Sequence, residues 1–192
     1  DSFLDLMVLD MTAEDNFRLK SNMSAMNPDL FWKVVNDGGH YQYMFNTLQL
    51  NNGNETFSDI AQFTGTAATD WSWASLVADF DNDGNKDIYI TNGLLRDIRN
   101  TDADKKISDL VSKAFNKYII ENPNNSDISM WDIIDINELL SLLPSQKLKN
   151  YFYKNYGDLN FKNESDSWGL AEPSFSHGAS YADLDNDGDL DL

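Results

Sequence analysis

The chain contains no cysteine, which excludes disulfides, thiol nucleophiles and cysteine-held metals. It has two histidines, His40 and His177, and neither sits in a nucleophile–base or zinc-binding pattern. There is no nucleophile elbow and no phosphate loop. Basic residues are scarce, 14 against 32 acidic ones, for a net charge of −18. That excess argues against nucleic acid and against an anionic membrane surface as partners. No apolar run approaches the length of a membrane span.

Aspartate is abundant, and its placement is ordered. Asp79-Phe80-Asp81-Asn82-Asp83-Gly84-Asn85-Lys86-Asp87 recurs as Asp183-Leu184-Asp185-Asn186-Asp187-Gly188-Asp189-Leu190-Asp191. Two carboxylates about 5 Å apart repel by roughly 3 kcal/mol at an effective dielectric near 20, so each loop calls for a cation. Oxygen ligands without histidine or cysteine favour Ca²⁺ over zinc or iron. The plain alternative is a solvated acidic turn held by Asx hydrogen bonds.

The repeat extends beyond the loop. Laying residues 46–88 on 150–192 pairs 43 positions without a gap, and 14 are identical, among them Asn46, Asn51, Gly53, Phe57, Gly65 and Ala78. Average composition would give roughly three. A duplicated structural unit follows. Thr47 to Leu50 reads as a strand ended by an Asn-Gly turn, Leu76-Val77-Ala78 as a strand entering the Asp loop, and Ile88 to Thr91 as one leaving it. Asp1 to Val8 matches the tail of the loop, with Asp1 and Asp5 at ligand positions and Ser2 in place of the glycine. The sequence is therefore expected to be a fragment of a longer protein.

An EF-hand loop also opens with Asp at positions 1, 3 and 5 and Gly at 6, but needs a bidentate Glu at 12 between helices. Position 12 from Asp79 is Ile90, and both flanks are strand-like. The remaining pattern, D-x-D-x-D-G-x-x-D between strands, resembles the FG-GAP/VCBS repeat of β-propellers, including the blades of integrin α-chains. The resemblance implies Ca²⁺ held by Asp79, Asp81, Asp83, Asp87 and the carbonyl of Asn85, and by Asp183, Asp185, Asp187, Asp191 and the carbonyl of Asp189. Asn46 to Phe57 and Asn150 to Phe161 resemble the family's opening strand and turn. The run Thr69 to Ala74 is similar to exported bacterial VCBS proteins of the ASPIC/UnbV and cartilage acidic protein-like group, although no ASPIC/UnbV-type C-terminal segment is present. Trp71 and Trp73, at alternate strand positions, are expected to pack between blades, with sugar stacking as the alternative.

Two stretches depart from the repeat. In 94–149, Ile107, Leu110, Val111, Ala114, Phe115 and Tyr118 fall at helical spacing behind Asp102 and Asp104. Pro123-Asn124-Asn125 breaks that helix, and a second apolar stretch runs from Ile133 to Leu143, ended by Pro144. Between 13 and 45, helices are expected near Ala13 to Asp15 and over Asp29 to Val35, the latter stopped by Gly38-Gly39.

The expected architecture is thus mainly β: part of one β-propeller of FG-GAP/VCBS blades with α-helical insertions. Residues 1–12 end a preceding repeat, 13–45 form a partly helical connection, 46–93 and 150–192 are repeats with calcium loops, and 94–149 is a helical insertion. The expected role is non-catalytic calcium-dependent binding of protein or glycan at an extracellular or cell surface, bacterial by resemblance and within reach of a larger membrane-associated complex. Loops of extracellular modules bind Ca²⁺ with Kd near 10⁻⁴–10⁻³ M, too weakly to fill in a resting cytosol. A polysaccharide-acting enzyme with structural calcium, or an accessory subunit of a surface uptake or secretion complex docked through 94–149, are the alternatives.

Overall fold

A computed structural model describes residues 3–22, 28–123 and 128–192. Its core is mainly β, two antiparallel sheets, neither closed into a barrel. Strands β1 (Leu6–Val8), β2 (Thr47–Asn51) and β3 (Phe57–Asp59) form the first, in that order. Strands β4 (Ser72–Ala78), β5 (Asp87–Asn92), β6 (Tyr151–Asn155) and β7 (Phe161–Asn163) form the second, also in chain order.

The two sheets repeat one another in register. Leu6, Met7 and Val8 face Gln49, Leu48 and Thr47, while Ile88, Tyr89 and Ile90 face Tyr153, Phe152 and Tyr151. The β2–β3 and β6–β7 turns also match. Asn52 N donates to the Thr56 carbonyl and Tyr156 N to that of Asn160, and both turns carry a left-handed glycine, Gly53 (φ 71°) or Gly157 (φ 84°). The identical Asn46 and Asn150 do one job twice: their side-chain oxygens accept from Asp10 N and Asn92 N, holding the strand that leaves β1 or β5.

This pairing puts the sequence repeat out of phase with the sheets. The first half of unit 46–93 supplies β2 and β3 to one sheet, and the second half supplies β4 and β5 to the next. The crossing segment contains α3 (Ala61–Thr64), capped by left-handed Gly65, with Ala61 and Ala67 buried. Leu48, Ala61, Ala67, Ile88, Ile90 and Tyr153 make one apolar cluster between the sheets. Ala78, Phe80, Tyr89 and Phe152 make another on the far face of the second sheet, joined by Leu190 of the second Asp loop. Every residue of β5 is buried, as expected for a strand covered on both faces.

Helices leave both sheets at the same place, the connection after the β1- or β5-type strand, at the end opposite the Asp loops. The first connection holds α1 (Asn16–Asn22) and α2 (Pro28–Asn36). The second holds α4 (Thr101–Glu121), α5 (Met130–Ile133) and α6 (Ile136–Leu142), and its neck is closed by the Leu94–Gln146 bridge. Asn100 caps α4 by accepting from Ala103 N. The apolar stripe expected on α4 is present but only half-buried at Ile107, Leu110, Val111, Ala114, Phe115 and Tyr118. The Ile133 to Leu143 stretch carries α6 and only the last residue of α5, because Ile134 turns extended and Asp135 caps a new start by accepting from Asn137 N. Asn124 and Asn125 lie outside the described residues.

One buried ion cluster ties the two connections together. The Arg18 guanidinium on α1 bonds Asp70 through Nε (2.5 Å) and Nη2 (3.0 Å), and Asp97 through Nη1 and Nη2 (both 3.3 Å). Nη1 also donates to Gln146 Oε1 at 2.9 Å. Burial alone would favour the neutral guanidine, but the hydrogen bonds and charges of Asp70 and Asp97 outweigh it and raise the Arg18 pKa.

Gly93, where β5 ends, adopts φ 127°, and a Cβ there would meet the Ser174 carbonyl oxygen at 2.9 Å and Phe175 Cα at 3.0 Å. Gly93→Ala is therefore expected to cost about 2 kcal/mol, read as a lowered urea midpoint.

Candidate metal centre

The first Asp loop joins β4 to β5, as a hairpin turn would, and its backbone is set by its own carboxylates. Asp79 accepts from Asp83 N at 3.1 Å and Gly84 N at 2.9 Å, and Asp83 Oδ1 accepts from Asn85 N at 2.8 Å. Asn82 (φ 58°) and Gly84 (φ 89°) are left-handed, and no atom crowds Gly84, so it is the backbone angle that calls for glycine. Asp87, wholly buried at 0 % exposure, ends the loop. Its Oδ2 accepts from Phe80 N at 3.2 Å and its Oδ1 from Asn155 N of β6 at 2.9 Å.

These constraints bring oxygens of Asp79, Asp81 and Asp87 all within 4.8 Å of one another. Carboxylates that close repel by about 3 kcal/mol per pair at an effective dielectric of 20. Burial raises the Asp87 pKa; the Asn155 and Phe80 amides oppose this, and the charges of Asp83 and Asp79 add to it. Asp81 Oδ1 is buried with no hydrogen-bond partner. An orphaned buried carboxylate oxygen among further carboxylates is what a hard cation satisfies.

The second loop has the same build. Asp183 accepts from Asp187 N (3.2 Å) and Gly188 N (3.1 Å), Asp187 from Asp189 N (3.1 Å), and Asp191 from Leu184 N (2.9 Å). Asn186 (φ 63°) and Gly188 (φ 95°) repeat the left-handed pair. Here two overlapping triads approach within 4.8 Å, Asp183–Asp185–Asp191 and Asp185–Asp187–Asp189. The Asp189 carboxyl shares a hydrogen bond with Asp187 and feels its charge, which pushes it up to about 6, while Asp187 is lowered. The loops touch: Asn82 Nδ2 donates to the Gly188 carbonyl at 3.3 Å.

The eight aspartates named as side-chain ligands thus lie in these two loops, with Asp189, named for its carbonyl, but the first triad leaves Asp83 outside, bonded to Asn85 and facing a lysine. That lysine, Lys154 of β6, is a residue that sequence reasoning missed. Its ammonium contacts Asp81 Oδ2 and lies 3.4 Å from Asp83 Oδ2. Alignment hides it, because its counterpart in the other repeat is Leu50. In the first sheet, Asp5 Oδ1 accepts from Asn51 N at 2.8 Å, the bond that Asp87 makes to Asn155, so Asp5 keeps the structural share of a ninth loop position. Asp1 and Ser2 lie outside the described residues.

Residues 26–90 match the family model of the FG-GAP-like repeat. The match supports the FG-GAP family. The comparison with curated proteins found no match, and neither did the comparison with solved structures. The matched FG-GAP-like stretch takes in β2, β3, β4 and the whole first Asp loop, and ends inside β5. The second loop lies beyond it and joins it through the internal repeat.

Trp73 does not enter a core. It stays 47 % exposed, donates from Nε1 to the Gly93 carbonyl at 2.6 Å, and meets the edge of His177, its own counterpart in the next repeat, at 5.1 Å. It bridges successive repeats at their rim, because its strand lies at the open edge of the sheet.

Proposed function

We propose that this chain is a calcium-stabilised segment of an FG-GAP/VCBS β-propeller that acts outside the cytoplasm as a non-catalytic module binding protein or glycan. The observation that carries the metal reading is the first loop: three converging carboxylates, one of them wholly buried, beside a buried Asp81 oxygen with no partner. Asp79, Asp81, Asp83, Asp87 and the Asn85 carbonyl would hold one ion. Asp183, Asp185, Asp187, Asp191 and the Asp189 carbonyl would hold the other. The ion would supply charge neutralisation and cross-link the ends of each hairpin.

Two sheets of matching register, packed face to face around one apolar cluster, support the propeller reading, since blades stack in this way. The weak affinity typical of extracellular calcium loops supports a location where calcium is millimolar. Membership of the exported bacterial VCBS group, and a protein or glycan as ligand, complete the proposal through the family analogy.

The test is thermal unfolding with and without Ca²⁺. At ten times Kd each site should add about 1.4 kcal/mol of stability. Asp81→Ala and Asp185→Ala should each remove part of that gain, and the double variant all of it. A wild-type Tm indifferent to millimolar Ca²⁺ would overturn the reading.

A further inference from the structure

The first loop already holds a cation of its own. Lys154 projects from β6, the strand whose next residue, Asn155, bonds both Asp87 and the Lys86 carbonyl. Its ammonium contacts Asp81 and faces Asp83, two of the residues that the calcium reading assigns to the metal. The second loop differs, since among the described residues no lysine or arginine pairs with Asp183 to Asp191.

We infer that Lys154 is a tethered competitor for the first calcium site, which Ca²⁺ must displace in order to bind. This rests on the calcium reading above and adds a regulatory element to it. Ca²⁺ takes its oxygens at about 2.3–2.6 Å, and an ammonium in contact with the same carboxylate sits at about 2.7–2.9 Å. Two cations on one Asp81 carboxylate repel, and the weaker charge on the flexible stem is the one that moves. Nζ already lies 5.4 Å from the Tyr156 ring, which the Lys162 ammonium approaches at 4.8 Å, and the Tyr156 hydroxyl donates to Glu164, so a released ammonium would move toward a ring and a carboxylate. Without metal, the lysine offsets part of the carboxylate repulsion and steadies the empty loop. With metal, it lowers the apparent affinity of this loop alone.

Calorimetric calcium titration of Asp185→Ala, which leaves the first loop, against Asp185→Ala/Lys154→Leu provides the test. Leucine is the residue at the matching β2 position, Leu50, so the strand has a precedent for it. The expected result is an affinity about tenfold tighter in the double variant, equivalent to about 1.4 kcal/mol. An independent readout needs no lysine variant: acylation of Lys154, followed by mass spectrometry, should speed up at least threefold when the wild-type protein is saturated with Ca²⁺. Calcium binding with equal or weaker affinity in the double variant, or a Lys154 acylation rate unmoved by calcium, would overturn this inference while leaving the calcium reading intact. Absence of calcium uptake by the wild-type protein at either loop would remove both.

Discussion

Arg18→Leu is expected to destabilise the protein by about 3–5 kcal/mol, the cost of leaving buried charges without their partner. Arg18 is 7 % exposed and sits between Asp70 and Asp97, themselves 7 % and 5 % exposed. Removing the guanidinium strands two buried carboxylates away from water. The effect is architectural as well as local. Asp70 lies at the entrance to β4 and Asp97 and Gln146 at the neck of the second helical connection, so Arg18 bonds α1 to both. Around it Asn100 Nδ2 donates to Asn22 Oδ1 and Thr101 Oγ1 to the Ser21 carbonyl, contacts that depend on the same docking. Arg18→Lys should recover only part of the loss, because an ammonium cannot make two bidentate bonds. Urea unfolding measures both variants; a midpoint within error of wild type for Arg18→Leu would refute the keystone role.

The second large effect is expected at Asp87. Asp87→Ala leaves the buried amide of Phe80 and the half-buried amide of Asn155 without acceptors, at roughly 1–3 kcal/mol each, so a loss of about 3 kcal/mol should persist in chelator, where calcium plays no part. Asp191→Ala, the same position in the second loop, should cost well under half of that in chelator. It loses one bond, to Leu184 N, in an exposed setting, and water can replace it. In calcium both variants should lose the stabilisation of their own site. Equal losses for the two variants in chelator would show that burial of Asp87 does not set the difference.

Much of the candidate site is legible in the sequence, because its information is local. Asp at alternate positions around a glycine dictates a tight loop whose carboxylates cap its own amides, and nine residues contain the whole pattern. The strands on either side, the duplicated turns and the stripe of α4 follow from short-range periodicity in the same way. Asn46 and Asn150 stand out as an identical pair, but their task, holding Asp10 N and Asn92 N, depends on a strand elsewhere in the chain. The phase of the sheets is hidden too. A sequence repeat has no marked beginning, and only strand pairing assigns β2 and β3 to one sheet and β4 and β5 to the next.

Residue order dictates the two acidic hairpins, the repeat that carries them and the helical character of the segments between. Three features come instead from the packing of distant segments: Asp87 is buried while its counterpart is not, Arg18 meets carboxylates 52 and 79 residues away, and Lys154 reaches the first loop. The reason is physical: hairpin turns and helix stripes arise from neighbours along the chain. Burial and ion pairing arise from whichever distant strand packs alongside, and no local pattern encodes that choice.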